Sequence, residues 1–247
     1  MRKLVYGTLI TAVTALPLAA LDLQSMTDEE RAIFRDEVRA FLMDNPEVIM
    51  DAVALLEERE AAAQAQADLS LVSDNASAIF DDGYSWVGGN PDGDITLVEF
   101  LDYRCGFCKR AHGEIAKLLE ADGNIRLIVK EFPILGEQSL LASRFAVASK
   151  QIAGDDAYKS IADALMLVGG NIDMRTLKRL AGTYGLDADA IEAHMDSDAV
   201  TAEIRDTRAL AQKLKITGTP TFVLQDELLR GFLPFDQMLA LVEEKRS

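Results

Sequence analysis

A chain of 247 residues, 49% apolar and 27% charged, is long enough for one sizeable domain plus an accessory piece and too apolar for wholesale disorder. A formal charge of −16 repels phosphate backbones and excludes nucleic acid as a partner class. The only two cysteines, Cys105 and Cys108, are too few for a disulfide framework.

Arg2 and Lys3 give a basic start, Leu4 to Leu18 is apolar and uncharged, and Ala19 and Ala20 are small. Residues 1–20 therefore read as an export signal cleaved near Ala20. The alternative is a retained membrane anchor, against which stand Pro17 and a length at the lower limit for a span. Export places the mature chain where disulfides form and persist, as in a periplasm. Residues 21–75 read as a separate helical region. Thr27-Asp28-Glu29-Glu30 is a capping box, followed by an apolar stripe at Ile33, Phe34, Val38, Phe41 and Leu42. Asn45-Pro46 ends that helix and starts another, carrying Val48, Ile49, Val53 and Leu56 and fading by Ala67. Two such helices have too little core to stand alone. They pack on copies of themselves, giving a homo-oligomer, or lie as an arm along their own domain.

Residues 68–94 read as a connection rich in turn chemistry, with Trp86 as a packing residue at the domain edge. The strand Ile95 to Leu101 then runs into Cys105-Gly106-Phe107-Cys108, and a helical pattern follows at once with Ile115, Leu118 and Leu119. A Cys-x-x-Cys at a strand-to-helix junction suits disulfide exchange. The first sulfur caps unpaired amides at the positive end of the helix dipole, which favours thiolate. The second lies one turn on, within reach of it. Cys105 is thus the candidate nucleophile and Cys108 the resolving thiol. A structural zinc site needs four ligands, and His112 and His194 are distant from one another in the chain; a c-type haem needs histidine where Lys109 stands. No cofactor and no resident metal are expected. His112 reads as a surface histidine, and His194 has no role.

Beyond this come the strand Ile125 to Lys130, a helical block at about residues 138–203 and onward to Leu214, and Thr217-Gly218-Thr219-Pro220. A hairpin (Thr221 to Gln225, Leu228 to Gly231) and a last helix from Pro234 close the chain. The order of elements predicts an α/β fold with a mixed sheet interrupted by a helical insertion.

Cys105-Gly106-Phe107-Cys108 after a strand, the helical insertion, and Thr219-Pro220 before a hairpin resemble the thioredoxin fold in its DsbA-type form, over about residues 79–247 of a domain read as residues 76–247. The N-terminal helices followed by Gly89-Asn90-Pro91-Asp92-Gly93 resemble the ScsC group of exported DsbA-like proteins. The resemblance implies a protein disulfide oxidoreductase acting on misfolded or cysteine-containing exported proteins. It also implies a membrane redox partner, either a DsbD/ScsB-like reductant or a DsbB-like oxidant, and an oligomer such as a trimer built through the N-terminal helices. It implies a cis bond at Thr219-Pro220 facing the cysteines, with Thr219 backbone groups free for an extended client strand. Phe107 and Tyr103 are the expected apolar client contacts. Alternation puts Glu99 inward beside Leu97 and Leu101, and the resemblance pairs it with Lys130 as a relay for the proton of Cys108. The strongest oxidants of this type carry Pro-His between their cysteines. Gly-Phe removes that ring and its positive charge, implying a milder oxidant of isomerase or reductase type. A DsbA-like oxidase and a copper-handling module, since paired thiolates suit Cu(I), are the alternatives.

Overall fold

The computed structural model describes residues 25–247, and the expected export signal lies outside them. The described residues divide into two compact units, one ending at Arg59 and the other spanning Glu60–Ser247.

In the first unit, α1 (Asp28–Asp44) opens on the expected capping box. Thr27 Oγ1 accepts from the Glu30 amide at 3.3 Å, and Glu30 Oε2 accepts from the Thr27 amide at 2.8 Å. Asn45 closes the helix by donating to Phe41 O, and α2 (Glu47–Asp74) starts just after Pro46. The stripe of Ile33, Phe34, Val38 and Phe41 is exposed, as are Ile49, Val53 and Leu56.

In sequence order the second unit adds α3 (Ala76–Phe80), β1 (Trp86–Gly89), β2 (Ile95–Leu101), α4 (Gly106–Ala121) and β3 (Ile125–Glu131). The inserted helices are α5 (Glu137–Ala153), α6 (Asp155–Leu167), α7 (Met174–Thr183), α8 (Ala188–His194) and α9 (Asp198–Lys213). β4 (Thr221–Leu224), β5 (Glu227–Arg230) and α10 (Phe235–Arg246) follow. Here α2 departs from expectation by running on to Asp74. Its last turns belong to this unit, because Arg230 of β5 grips the buried Asp68 with both Nη atoms, at 2.5 and 2.9 Å, and Val72 is buried in the core.

The sheet order is β1-β3-β2-β4-β5, with β2 and β3 parallel and every other pair antiparallel. β1 was hidden in what reads as a connection. It is a short edge strand ending at Gly89, whose φ is +66° and where an added Cβ would lie 2.3 Å from Ile125 O. Its Trp86 does pack at the edge, stacked on Tyr158 of α6 with ring centroids 5.7 Å apart.

β2 and β3 are buried on both faces, and alternation splits their side chains between two cores. Leu97, Leu101, Leu127, Val129, Phe222 and Leu224 face α4, the insertion and α10. Val98, Phe100, Ile128 and Val223 face Val72, Ile79 and the end of α9 at Leu210 and Leu214. Each fully buried aromatic or aliphatic side chain here contributes about 1.5–3 kcal/mol. The parallel pair of strands, held between the two layers, is the frame from which the cysteine loop projects.

Candidate active site

β2 ends at Leu101, and Asp102 builds the turn that delivers Cys105. Asp102 Oδ1 accepts from the Arg104 amide at 2.7 Å, and the Asp102 carbonyl accepts from the Cys105 amide at 3.0 Å. The other carboxylate oxygen accepts from the amides of Ile134 and Leu135, at 2.8 and 3.0 Å. One buried carboxylate thus fastens the cysteine loop to the loop that follows β3. Sequence reading passed Asp102 over, although an aspartate two residues before a turn amide is the usual sign of such a turn.

Cys105 is the N-cap of α4, and its sulfur accepts from the Cys108 amide at 3.4 Å. The same sulfur lies 3.1 Å from the Thr219 carbonyl, to which the thiol donates. The Thr219-Pro220 bond is cis, and it brings that carbonyl across the sheet to face the cysteine. The two sulfurs differ in access: Cys105 is 7% exposed and Cys108 is 0% exposed. Only the first can meet a client. Burial drives the Cys108 thiol well above the ordinary thiol range, with the charges of Glu99 and Cys105 adding to the effect.

Glu99 is buried in the middle of β2, on the face toward α4, and its Oε1 meets no hydrogen-bond donor among the described residues. Burial, reinforced by the neighbouring Glu131, pushes its carboxyl up to about 8. The expected partner, Lys130, is elsewhere. In the parallel register Glu99 stands beside Val129, so Lys130, one residue on, points to the opposite face of the sheet. There its Nζ donates to Asp82 Oδ2 at 2.5 Å and to Ala78 O at 2.8 Å. Burial opposes the Asp82 charge, but the bonds from Lys130 and Ser85 outweigh it and hold that carboxyl low. Lys130 is therefore a structural cation between β3 and the loop after α3, and the Glu99–Lys130 pair is corrected.

The residue on the Glu99 face is Glu131, two positions after Val129. Three hydroxyls donate to it at 2.6 Å each: Tyr103 and Tyr158 to Oε1, and Ser143 to Oε2. Burial raises this carboxyl to about 7, and the three donors restrain the rise. Of the two buried acids, Glu131 is the better supplied with donors and ionises first, leaving Glu99 as the protonated member. Tyr103 is corrected by the same finding. It is 0% exposed, with its hydroxyl on Glu131, and has no surface to offer a client. Phe107 is exposed beside the cysteines, with the Arg110 guanidinium 4.3 Å above its ring. His112, one turn beyond Cys108, is half-buried against Asp163 rather than free on the surface. His194 bonds Gln151 within the insertion.

No group of three or more His, Cys, Asp or Glu side chains able to hold a metal occurs among the described residues. The arrangement supports exchange chemistry: a sulfur with a small exposed surface on a helix N-cap, a fully sealed partner sulfur, and a buried acid with one unpartnered oxygen whose charge acts on that partner.

Residues 96–243 match the DSBA-like thioredoxin domain family, and residues 30–63 match the copper resistance protein ScsC N-terminal domain. A thioredoxin-like oxidoreductase from Silicibacter pomeroyi is 41% identical, with a TM-score of 0.66 over 70% of this chain and 98% of that one. ScsC of Proteus mirabilis in a transitional conformation is 25% identical, with a TM-score of 0.66 over 89% of this chain and 98% of that one. Disulfide bond formation protein D of Bacillus subtilis is 23% identical over 64% of this chain and 75% of its own length. A Na(+)/H(+) antiporter NhaA of Herminiimonas arsenicoxydans is 27% identical over 65% of this chain, which spans 25% of that protein's length. The chain belongs to the DsbA-like thioredoxin family of thiol–disulfide exchange proteins, and carries an N-terminal domain of the ScsC type ahead of it.

Proposed function

We propose that the chain is an exported protein disulfide isomerase or reductase in which Cys105 exchanges with clients and Cys108 resolves the mixed disulfide. The observation that carries this reading is the contrast between the two sulfurs, one reachable on a helix N-cap and the other sealed next to an unpaired acid. In the reducing direction the Cys105 thiolate attacks a client disulfide, forming the Cys105–client bond and releasing one client thiolate. Glu99, having first released its own proton, takes the proton of Cys108 as a carboxylate, and the new thiolate attacks Cys105 Sγ. The Cys105–client bond breaks, the enzyme pair becomes a disulfide, and the client leaves reduced. When the attack of Cys108 is slow relative to rearrangement within the client, the outcome is isomerisation.

Gly106 and Phe107 favour the reducing side, since neither supplies a positive charge or a further donor to the thiolate. Phe107 with Arg110, and the backbone beside cis Pro220, form the client-facing surface. The exposed stripe of α1 and α2, within the ScsC-type segment, supports assembly through the N-terminal helices, the option preferred over an arm along the same domain. Residues 1–20 supply the export signal, and no helix among the described residues is long and apolar enough to cross a membrane. The redox partner is then a membrane reductant. The copper-handling reading would fall to Cys105 and Cys108, because residues 30–63 hold no cysteine or histidine.

Three assays on the mature chain test the proposal. Refolding of scrambled ribonuclease and reduction of insulin are expected to proceed and to be lost in Cys105→Ser. Light scattering is expected to show an oligomer that dissociates in a form starting at Glu60. A start at Ser77 would strip Val72 and Asp68 from the catalytic unit and so test something else. Tight Cu(I) binding with neither thiol activity would favour the metal carrier instead.

A further inference from the structure

On the Glu99 face of the sheet, under α4 and α6, lies a cavity of about 110 Å³. Leu101, Leu119, Val129 and Met166 make its walls apolar, and Trp86 and Tyr158 stack along one side. Its polar groups sit at opposite degrees of exposure. Glu99, 3% exposed with Oε1 unpartnered, forms the inner end. His112, Asp163 and Lys159 form the rim, where the His112 and Asp163 side chains are 34% and 39% exposed. His112 Nε2 lies 3.4 Å from Asp163 Oδ1, and Lys159 holds the other Asp163 oxygen at 2.6 Å. The cavity is roomy enough for a short file of waters, with polar partners at both ends.

Building on the Glu99 role given above, we propose that this cavity is the proton conduit of the resolving cysteine, and that His112, steered by Asp163, hands that proton between cavity water and solvent. The chemistry of the step fixes what must move. Glu99 rests protonated and first releases that proton; when Cys108 then attacks the mixed disulfide, its S–H bond breaks and the proton goes to the Glu99 carboxylate so formed. The Cys108–Cys105 bond forms, the Cys105–client bond breaks, and the client departs as a thiolate. Glu99 must then shed its proton before it can serve again. Lys130 is on the other face, and the titratable groups facing Glu99 are Glu131, Tyr103 and Cys108, with Tyr158 beside it on the cavity wall; all four are buried, so none hands a proton directly to solvent. Water in the cavity is the remaining exit, and the imidazole is the titratable group at its mouth. Burial holds His112 below its ordinary value; Asp163 opposes this and Lys159 adds to it, so the ring is neutral near pH 7 and open to a proton. His112 touches neither sulfur, so it is a positioning residue for the proton and not a catalytic one.

The test follows a single turnover. Reduced protein is mixed with excess oxidised glutathione, and the Cys105–glutathione adduct is followed by acid quench and mass spectrometry. His112→Gln is expected to form the adduct at the wild-type rate and to lose it roughly tenfold more slowly, short of the ~10²-fold typical when a directly acting base is removed. Imidazole in the buffer is expected to restore most of that loss. Ala162→Leu, which narrows the cavity and leaves His112 intact, is expected to slow the same step without rescue by imidazole. Wild-type decay in His112→Gln, or slow decay that imidazole does not restore, overturns the conduit. Glu99→Gln separates the two ideas: slow decay there with a normal His112→Gln removes only the conduit, whereas normal decay in Glu99→Gln removes the Glu99 role as well.

Discussion

Replacing Glu99 by glutamine keeps the shape of the side chain and deletes its titration, so its effect on stability is a function of pH. In the folded protein the Glu99 carboxyl is raised from 4.5 to about 8 by burial and by Glu131; in the unfolded chain it is ordinary. Between those values the unfolded state has released a proton that the folded state keeps, so stability falls as pH rises through that window and levels off above about 8. At about 1.4 kcal/mol per pH unit, wild type loses roughly 4 kcal/mol from this group between pH 5 and pH 8. The glutamine variant does not. Glu131 titrates in both proteins, and losing its acidic neighbour lets it ionise slightly earlier in the variant, a smaller correction of the same sign. The measurement is urea unfolding of reduced wild type and Glu99→Gln at pH 5, 6, 7 and 8, followed by fluorescence of Trp86. That is the only tryptophan, and it lies in the same unit as Glu99. The variant is expected to gain on wild type steadily across the series. A difference that stays constant to within about 1 kcal/mol would refute a neutral, burial-shifted Glu99.

The Asp68–Arg230 clamp should show a sign of burial in its two halves, because the Asp68 side chain is 7% exposed and that of Arg230 is 38%. Arg230→Ala strands a buried carboxylate and is expected to cost about 2 kcal/mol or more, whereas Asp68→Ala leaves an arginine in solvent at about 1 kcal/mol, both read by thermal unfolding. Equal costs would argue against the clamp as drawn. Tyr103→Phe removes one of three donors from Glu131 and should push that carboxyl further up. Its cost, about 1.5–3 kcal/mol for a bond to a charged group, should be greater at pH 8 than at pH 6, where Glu131 is protonated. A glutathione redox titration should place the Cys105–Cys108 pair more negative than about −150 mV, against about −120 mV for DsbA, and a DsbA-like value would restore the oxidase reading.

Much of the site could be read from residues alone because its signals are local. The Cys-x-x-Cys sits at the junction of two periodicities, the capping box at Thr27 lies within one turn, and alternation in β2 put Glu99 on its proper face. What escaped needed the register of one strand against another. Lys130 and Glu131 are adjacent in sequence, and only the pairing of Glu99 with Val129 decides that the acid and not the lysine shares its face. Tyr103 followed from the same gap: beside the cysteines it resembles a client contact until Glu131 is found beneath it. β1 was obscured because Gly88 and Gly89 give turn chemistry to an edge strand. The end of α2 was obscured because Asp68, which holds it, meets its arginine 162 residues later.

Asp102 has a mechanical consequence. Its oxygens suspend both the loop that aims Cys105 and the amides of Ile134 and Leu135, whose side chains stand out in solvent at 38% and 51% exposure. The loop after β3 and the cysteine loop thus share one anchor, so a displacement of either is passed to the other through a single side chain.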